Sequence, residues 1–220
     1  MIRTVIFDMD GVIIDTEPIH HHAFFAEFAE LGIGVTEAEY ATFLGQSTRN
    51  VFQWLKQEHG LPQDVEVLVQ RKRELFNEVF DTDAALDLLP GVRQLIEDLR
   101  RHNVQLVVAS SASKATIARV FDRFGLGPAF THRISGEDFA RSKPDPTIFL
   151  HAAALAETPV GECIVIEDSA NGVAAAKAAG IYCIGYASEH SAGQDLHLAD
   201  RIIRHFNELS AAGIAVIGSA

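Results

Sequence analysis

Two aspartates, Asp8 and Asp10, follow the apolar run of residues 3–7 in the stretch VIFDMDG. Alone, such a pair is most often a turn or a cap, because a short carboxylate side chain readily binds nearby backbone N–H groups. Polar residues also follow the other apolar runs, and these are Ser110, Ser111, Lys143, Glu167 and Asp168. In an open parallel sheet, ligands bind at the carboxyl ends of the strands. We therefore expect these side chains to converge on one crevice.

The predicted crevice has the chemistry of a site for a divalent cation and a phosphoryl group. Carboxylates crowded at one place repel one another and have raised pKa values unless a cation lies between them. Mg²⁺ takes hard oxygen ligands, keeps several waters and shares its remaining positions with substrate phosphate. A lysine and a helix N-terminus suit a bound phosphate. The residues therefore predict Mg²⁺ as the cofactor and a small phosphorylated metabolite as the ligand.

Two neighbouring aspartates can take two different catalytic roles in phosphoryl transfer. One carboxylate attacks phosphorus and forms an aspartyl phosphate. The other protonates the leaving oxygen as a general acid and afterwards activates water as a general base. Ser110 and Lys143 are then expected to hold the equatorial oxygens of the transferred group while its charge redistributes.

Strand and helix patterns alternate along most of the chain. Apolar, β-branched runs predict strands at residues 3–7, 104–110, 132–135, 163–167 and 182–186. Amphipathic stretches between them predict helices at residues 90–102, 113–125, 144–157 and 169–180. Strands that are apolar throughout and alternate with helices indicate a parallel sheet covered on both faces. We expect an α/β fold with a Rossmann-like, doubly wound parallel sheet.

One interval breaks this alternation, because residues 16–87 contain four helical patterns and no convincing strand. An insertion of helices straight after the first strand predicts a second, smaller helical bundle. We expect a core domain of residues 1–15 and 88–220 and a helical cap domain of residues 16–87. The two connections between them must be short, which suits a hinged lid.

Composition and charge exclude several classes of function. The net charge of −12 would repel nucleic acid and anionic lipid. No stretch approaches the roughly 20 apolar residues of a membrane span, and the first residues lack a secretion-signal pattern. We expect a cytoplasmic, soluble monomer with no nucleic-acid or membrane partner. The apolar tail, residues 211–220, can pack on the core or on a partner.

The cysteines and the consecutive cationic residues have ordinary structural explanations. Cys163 and Cys183 lie in apolar runs without CxxC spacing, which predicts buried thiols rather than a disulfide or zinc site. Residues 71–73 and the histidines 20–22 lie about 100° apart around their helices, so neither set can face one site together. Trp54 and the phenylalanines at helical spacing are expected in the core.

The motifs resemble, in order and context, those of the haloacid dehalogenase superfamily. DMDG is similar to its first motif, Ser110 to the second, Lys143 to the third and IEDS at residues 166–169 to the fourth. The resemblance implies that Asp8 is the nucleophile and Asp10 the acid/base, and the inserted helices are similar to the family's small cap. An aspartate at position 10 favours phosphoryl transfer over dehalogenation.

The same resemblance implies the ligands of the metal. They are the Asp8 carboxylate, the backbone carbonyl of Asp10 and the Asp168 carboxylate, with Glu167 beside them as a further member of the metal site.

Within the superfamily, the sequence is most similar to β-phosphoglucomutases and the sugar-phosphate phosphatases close to them. The segments DTEPIH, GQSTR, QRKR and SASK carry this resemblance and imply substrate-binding roles for Thr16, His20, Arg49, Lys72, Ser111, Ser113 and Lys114. In the mutases, the equivalents of Arg49 and of Ser113 with Lys114 hold a second phosphate. Here GQSTR and SSASK are each one residue longer, and Ala115 stands where the mutase offers an amide.

Three functions remain open at this stage. The leading hypothesis is a Mg²⁺-dependent phosphatase that acts on a small phosphorylated metabolite, specifically a sugar phosphate. A β-phosphoglucomutase would instead pass the phosphoryl group to another sugar hydroxyl and would depend on a bisphosphate activator. A non-catalytic module would use the same crevice to bind a phosphorylated ligand.

Overall fold

The computed structural model describes residues 1–188 and 193–217 and contains a six-stranded sheet in the order β3-β2-β1-β4-β5-β6. Every neighbouring pair of strands is parallel. The strands are β1 (Thr4–Phe7), β2 (Gln105–Ser110), β3 (His132–Ser135), β4 (Cys163–Glu167), β5 (Tyr182–Tyr186) and β6 (Arg201–Ile203). The strand order reverses between β1 and β4, so the predicted doubly wound parallel sheet is confirmed.

Helices occupy every region in which the sequence predicts them. In the described residues they are α1 (Glu17–Leu31), α2 (Glu37–Ala41), α3 (Thr48–His59), α4 (Val65–Thr82), α5 (Val92–Arg101), α6 (Lys114–Phe124), α7 (Thr147–Leu155), α8 (Ala170–Ala178) and α9 (Ala211–Ala215). Serine side chains accept a backbone N–H at the start of α3, α6 and α8, namely Ser47, Ser113 and Ser169. These caps fix where each helix begins, because the first turn of a helix leaves its N–H groups unpaired.

Successive residues of each strand face opposite sides of the sheet, and each side has its own hydrophobic cluster. In β1, Val5 and Phe7 belong to the cluster that includes α5 and α6, whereas Ile6 belongs to the cluster that includes α7 and α8. All three side chains are fully buried. The strand is apolar throughout because helices cover both faces of the sheet.

The sixth strand is a correction to the sequence analysis, which predicts five. β6 is only three residues long, lies at the edge of the sheet and pairs with β5 alone. Ile203 is buried, but Ile202 is exposed and Arg201 is partly exposed. A half-exposed edge strand of this length has no continuous apolar run, so the sequence pattern does not reveal it.

Helices α1 to α4 lie between β1 and β2 in the chain and build a third hydrophobic cluster. Phe28 of α1, Phe52 of α3 and Leu68 of α4 pack in it. Ile19 of α1 and Phe80 of α4 instead join the cluster on the sheet, so the apolar packing continues from the sheet into the helices. The four predicted helices are confirmed, and the division into a core and a cap domain stays a prediction.

Three side chains and the C-terminal segment test the predicted core. Cys163 and Cys183 are buried free thiols, as predicted. The expectation for Trp54 is wrong, because the indole is 42% exposed and contacts the ring of Phe43 from outside the cluster. In the described part of the tail, Ala211 and Ile214 are buried in the cluster on the sheet. Residues 218–220 of the tail lie outside the described residues.

The sequence analysis predicts no membrane-spanning segment. Among the residues that the structure describes, each helix is too short or too polar to cross a membrane.

A buried carboxyl group lies inside the helical bundle. Glu27 of α1 is 1% exposed, and the described residues provide no hydrogen-bond partner for either carboxylate oxygen. Burial and the nearby Glu30 carboxylate raise the pKa of Glu27 to about 8, although Lys72 and Arg71 oppose the shift. The carboxyl group therefore keeps its proton over much of the neutral range, because ionisation in an apolar surrounding is costly.

The pKa of Glu27 predicts a specific pH dependence of stability. The native state holds this proton up to about pH 8, whereas the unfolded chain loses it near the ordinary value of 4.5. Glu27 therefore stabilises the native state at low pH, and this contribution is lost as the pH rises from about 4.5 to about 8. We expect the free energy of unfolding of Glu27→Gln, measured with urea and taken relative to that of wild type, to rise by about 1 to 3 kcal/mol between pH 5 and pH 8.

The matched control is Glu30→Gln on the same helix. The Arg71 guanidinium lowers the pKa of the exposed Glu30, so this substitution should not reproduce the gain at high pH. A difference between wild type and Glu27→Gln that is the same at both pH values would contradict a buried, protonated Glu27.

Candidate active site

A buried lysine joins the ends of three adjacent strands. The Nζ of Lys143 donates to Asp8 Oδ1 at 2.5 Å, to Glu167 Oε1 at 2.7 Å and to the carbonyl oxygen of Ala109 at 3.1 Å. Asp8 follows β1, Ala109 lies in β2 and Glu167 ends β4. Lys143 is 2% exposed, and its Nζ lies 4.8 Å from the ring centroid of Phe149. The predicted convergence of these residues is present in the structure.

Burial and charge in this cluster shift the pKa values of Asp8 and Lys143. Burial raises the pKa of Asp8 to about 7, and the Glu167 and Asp10 carboxylates add to the rise, although the Lys143 ammonium opposes it. Burial alone would lower the pKa of Lys143, but Asp8 and Glu167 outweigh it and raise the pKa. Lys143 therefore stays charged at neutral pH, which is what a buried ion pair needs to offset its desolvation.

The Glu167 carboxylate has hydrogen-bond partners on both of its oxygens. Oε1 accepts from Lys143, and Oε2 accepts from the backbone N–H groups of Asp168 and Ser169 at 2.9 Å each and from Ser169 Oγ at 3.0 Å. Gly172 of α8 passes so close that a Cβ on it would lie 1.8 Å from Oε1. These contacts make Glu167 a support for Lys143, and its role as a further member of the metal site stays a prediction.

Asp8 and Asp168 have the donor chemistry for a magnesium ion. Both line the same cavity, and burial together with the neighbouring carboxylates raises the pKa of Asp168. In residues 1–188 and 193–217, no group of three His, Cys, Asp or Glu side chains is placed to hold a metal. Mg²⁺ is commonly bound by one or two carboxylates with waters and substrate phosphate, so these two side chains and the Asp10 carbonyl fit it.

The Asp10 carboxylate is held from both sides. Thr16 Oγ1 donates to Oδ1, His20 Nε2 lies 3.3 Å from the same oxygen, and Ser110 Oγ donates to Oδ2 at 3.4 Å. Burial raises the pKa of Asp10, but His20, Thr16 and Lys72 together outweigh burial and lower it. Asp10 is therefore ionised at neutral pH in this arrangement.

His20 and Lys72 continue this chain into the helical insertion. His20 Nδ1 contacts Lys72 Nζ, which lies 4.6 Å from the ring centroid of Phe24 and 5.1 Å from that of Phe76. Burial lowers the pKa of Lys72 to about 8, and Asp10 opposes the shift. The substrate-binding roles expected for Thr16, His20 and Lys72 stay predictions, and the observed partner of Thr16 is Asp10.

A second cavity, of about 50 Å³, is lined by five of the predicted substrate-binding residues, namely His20, Arg49, Lys72, Ser111 and Ser113. Arg49 Nη2 donates to Glu66 at 2.9 Å, and Ser113 caps α6. Lys114 Nζ lies 2.5 Å from Asp138 and lines neither cavity described here. Exposed ion pairs of this kind are weak and exchange readily, so Arg49 and Lys114 remain candidates.

The larger cavity, of about 90 Å³, opens over the paired aspartates. Helices α1 and α2 and the loop after α2 supply Glu17, Phe24, Tyr40, Phe43 and Gln46 to its wall. Two of the phenylalanines expected in the core, Phe24 and Phe43, therefore also face the cavity. Tyr40 and Glu17 were not singled out by the sequence analysis, although Glu17 stands between two predicted residues in DTEPIH.

Hydrogen bonds close the helical insertion over the sheet edge. Ser111 Oγ donates to the carbonyl of Gly45 at 2.7 Å, and Asn171 Nδ2 donates to that of Leu44 at 2.8 Å. Gln194 Nε2 donates to the carbonyl of Ala41 at 3.2 Å. Sequence reasoning missed Asn171 and Gln194, because no spacing or residue type marks an amide that binds a distant carbonyl.

Fold and site together define a class of α/β proteins in which the first strand of a parallel sheet ends in paired aspartates supported by a buried lysine. A family model described as haloacid dehalogenase-like hydrolase matches residues 2–180 of the chain. The protein belongs to the haloacid dehalogenase-like hydrolase family.

Individual relatives cover nearly the whole chain. Beta-phosphoglucomutase of Bacillus subtilis is 30% identical over 94% of this chain and 92% of its own length. The phosphorylated carbohydrates phosphatase of Thermotoga maritima is 31% identical over 86% of each chain. Among solved structures, a variant of CbbY from Rhodobacter sphaeroides in complex with xylulose-(1,5)bisphosphate has a TM-score of 0.85 and 27% identity, with 95% of this chain and 96% of that chain covered.

Gly172 allows a test of the support beneath Lys143. A methyl group in Gly172→Ala would occupy the position of the Glu167 carboxylate, which would have to move away from Lys143. We expect a loss of about 1 to 3 kcal/mol of unfolding free energy from this overpacking, measured by urea unfolding. The matched control is Gly161→Ala, where an added Cβ meets nothing within 4 Å. Equal stability of the two variants would contradict the close packing of Gly172 on Glu167.

Proposed function

We propose that the protein is a Mg²⁺-dependent phosphatase that hydrolyses a small phosphorylated metabolite, with a sugar phosphate as the substrate class. One observation carries the proposal: Lys143 fixes Asp8 at the floor of a cavity whose wall also includes Asp10. Membership of the hydrolase family supports an enzyme. The names of the relatives support the substrate class, since one is a phosphorylated carbohydrates phosphatase and the CbbY structure contains a sugar bisphosphate.

Asp8 is the proposed nucleophile. Lys143 holds Oδ1, while within the described residues no hydrogen bond to Oδ2 is present, so Oδ2 is available to attack phosphorus. The bond from Asp8 to phosphorus forms as the ester bond to the leaving oxygen breaks, and the product is an aspartyl phosphate. Ser110 and Lys143 would bind the equatorial oxygens of the transferred group. Water then attacks the aspartyl phosphate and releases inorganic phosphate.

Asp10 is the proposed acid and base. Its lowered pKa makes it a carboxylate in the present arrangement, which suits the second half of the reaction, where it takes a proton from water. A bound phosphate monoester adds negative charge beside Asp10 and raises its pKa. In the substrate complex Asp10 then holds a proton, which it gives to the leaving oxygen.

The magnesium site in this proposal consists of the Asp8 and Asp168 carboxylates and the Asp10 carbonyl. The ion, when bound, neutralises the charge of these groups and of the phosphate. The residues of the chain orient the phosphate by donating from Lys143 and from the backbone at the start of the following helices.

Residues 16–87 are the proposed cap. Ile14 pairs with Leu88, so the two connections to the sheet run side by side, as a hinge needs. Opening would break the three hydrogen bonds that tie Ala41, Leu44 and Gly45 to the sheet edge, and closure would exclude water from the aspartyl phosphate. A cytoplasmic monomer remains the expected state of the enzyme.

A mutase is the second candidate, and the adjoining cavity favours it. That cavity shares His20, Ser111 and Ala112 with the larger one and offers Arg49 and Lys72 to an anion. An adjoining cavity of this kind suits a sugar bisphosphate that reorients between the two cavities. The 30% identical relative named beta-phosphoglucomutase also supports the mutase as a candidate function.

The first prediction for the phosphatase concerns the nucleophile and the metal. We expect phosphate release from a panel of p-nitrophenyl phosphate, glucose 6-phosphate, fructose 6-phosphate, ribose 5-phosphate and glycerol 3-phosphate to require Mg²⁺ and to stop with EDTA. Asp8→Asn should lower kcat by about 10³-fold or more, because the attacking carboxylate is lost. Asp122→Asn, at an exposed aspartate that lines neither cavity, is the matched control. Turnover that survives Asp8→Asn would overturn the assignment of the nucleophile.

A second experiment separates the phosphatase from the mutase. Wild-type enzyme is given β-glucose 1-phosphate with Mg²⁺, and both glucose 6-phosphate and inorganic phosphate are followed. The proposal predicts inorganic phosphate as the main product, because water reaches the aspartyl phosphate. Conversion to glucose 6-phosphate with negligible phosphate release, sustained only by a bisphosphate activator, would identify the mutase.

A further inference from the structure

One carboxylate in the larger cavity has no part in the reaction described above. Glu17, the first residue of α1, lines this cavity together with Asp8, Asp10 and Asp168. Among the described residues that line the cavity there is no lysine or arginine. Lys143 neutralises Asp8 from below, whereas Glu17 has no cation in contact with it in the described structure. The Glu17 carboxylate therefore needs an explanation other than pairing with a cation.

A tyrosine holds Glu17 in place. Tyr40 Oη donates to Glu17 Oε1 at 2.7 Å. Tyr40 is 5% exposed, and its ring lies 5.8 Å from that of Phe24 and 6.3 Å from that of Phe43, both in edge-on contact. The phenol is thus fixed by packing, and it fixes the carboxylate in turn. Within the described residues, Glu17 Oε2 has no hydrogen-bond donor, so one acceptor oxygen remains for a ligand.

The surroundings of Glu17 determine which ligand group fits there. Burial raises the pKa of Glu17 to about 7, with Tyr40 and Lys72 opposing the shift and Asp10 adding to it. Both the charged and the neutral carboxyl group can accept a hydrogen bond, so a hydroxyl donor fits either form. A carboxylate of the substrate would instead meet the negative charges of Glu17 and Asp10, and no lysine or arginine lines this cavity among the described residues.

The rest of this wall suits an uncharged carbon skeleton. Phe24, Phe43 and Leu44 supply apolar surface beside Glu17, and Gln46 adds an amide. Such a mixture of apolar surface and few polar groups is typical of sites that orient a small polyhydroxylated molecule. The second cavity, with Arg49 and Lys72, lies on the other side of His20.

We propose that Glu17, positioned by Tyr40, is the specificity-determining residue of the site and accepts a hydrogen bond from a hydroxyl of the leaving group. The substrate end that enters this cavity is therefore polyhydroxylated and uncharged. This inference rests on the proposed phosphatase function, because it describes the leaving group of that reaction. It adds a selection rule: hydroxylated leaving groups are preferred, and leaving groups with a carboxylate at this end are rejected.

The test compares leaving groups with and without hydroxyls. In wild type and Glu17→Ala, kcat/KM is measured for p-nitrophenyl phosphate and for the sugar phosphate of the panel that wild type hydrolyses fastest. We expect the ratio of sugar phosphate to p-nitrophenyl phosphate to fall by about tenfold to hundredfold in Glu17→Ala, because the hydrogen bond from a hydroxyl of the leaving group is lost. Tyr40→Phe should shift the ratio in the same direction by a smaller factor, since it only frees the carboxylate.

Two further comparisons test the charge of the site. Glu17→Gln keeps the size of the side chain and removes its charge, so hydrolysis of 3-phosphoglycerate should rise relative to wild type. Glu37→Gln is the matched control, since Glu37 is an exposed carboxylate of the same helical bundle that pairs with His21 outside the cavity. Glu37→Gln should change neither the ratio of sugar phosphate to p-nitrophenyl phosphate nor the hydrolysis of 3-phosphoglycerate.

A binding measurement separates this inference from the catalytic proposal. Calorimetry on Asp8→Asn and on Asp8→Asn with Glu17→Ala compares each sugar phosphate of the panel with inorganic phosphate. We expect Glu17→Ala to weaken the binding of the sugar phosphate by about tenfold or more and to change the binding of inorganic phosphate far less.

Each outcome bears on one of the two claims. Equal losses on both substrates in Glu17→Ala would mean a general structural effect and would overturn the inference, as would unchanged ratios. Hydrolysis of p-nitrophenyl phosphate without that of any sugar phosphate would also overturn it and would leave the phosphatase chemistry intact. Wild-type enzyme that releases phosphate from nothing in the panel would overturn the proposed function, while the calorimetric comparison would still decide whether Glu17 selects a hydroxylated ligand.

Discussion

The buried ammonium of Lys143 is the interaction on which the rest of this structure depends. A buried charge is tolerated only when opposite charges and hydrogen bonds offset its desolvation. Asp8 and Glu167 supply the charges, and the Ala109 carbonyl supplies a further acceptor. These groups come from three neighbouring strands, so the ion cluster is possible only when β2, β1 and β4 lie side by side and end at the same level. Gly172 then leaves the room in which the Glu167 carboxylate fits.

A second network links the reaction to the helical insertion. Asp10 leaves the first strand, but Thr16, His20 and, through His20, Lys72 set its protonation state. The inserted helices therefore do more than cover the site, because their position adjusts the acidity of the group proposed to move protons. Movement of these helices away from the sheet would remove both the hydrogen bonds and the nearby positive charge, and the pKa of Asp10 would rise.

The two ends of the proposed substrate meet opposite kinds of surface. In the proposed function, the phosphoryl group would lie against Lys143 and the proposed magnesium ligands, where charge is concentrated. The leaving group would face a wall of aromatic side chains that carries one fixed carboxylate, Glu17, and no lysine or arginine among its described residues. The charged floor of the cavity comes from the strand ends, whereas this wall comes from the inserted helices.

The sequence by itself determined the parallel sheet, the inserted helices and the residues at the strand ends, because apolar periodicity and the alternation of strands with helices are patterns along the chain. In a parallel sheet these patterns place Asp8, Asp10, Ser110, Lys143 and Glu167 at one edge. It did not reveal β6, whose three residues include an exposed isoleucine, nor the exposure of Trp54, which depends on what packs beside α3. Only the tertiary structure decided that Glu167 supports Lys143, that Thr16 binds Asp10 and that Glu17 faces the cavity with Tyr40 as its partner. These contacts join residues through side-chain geometry across different elements, and no pattern along the chain encodes such distances.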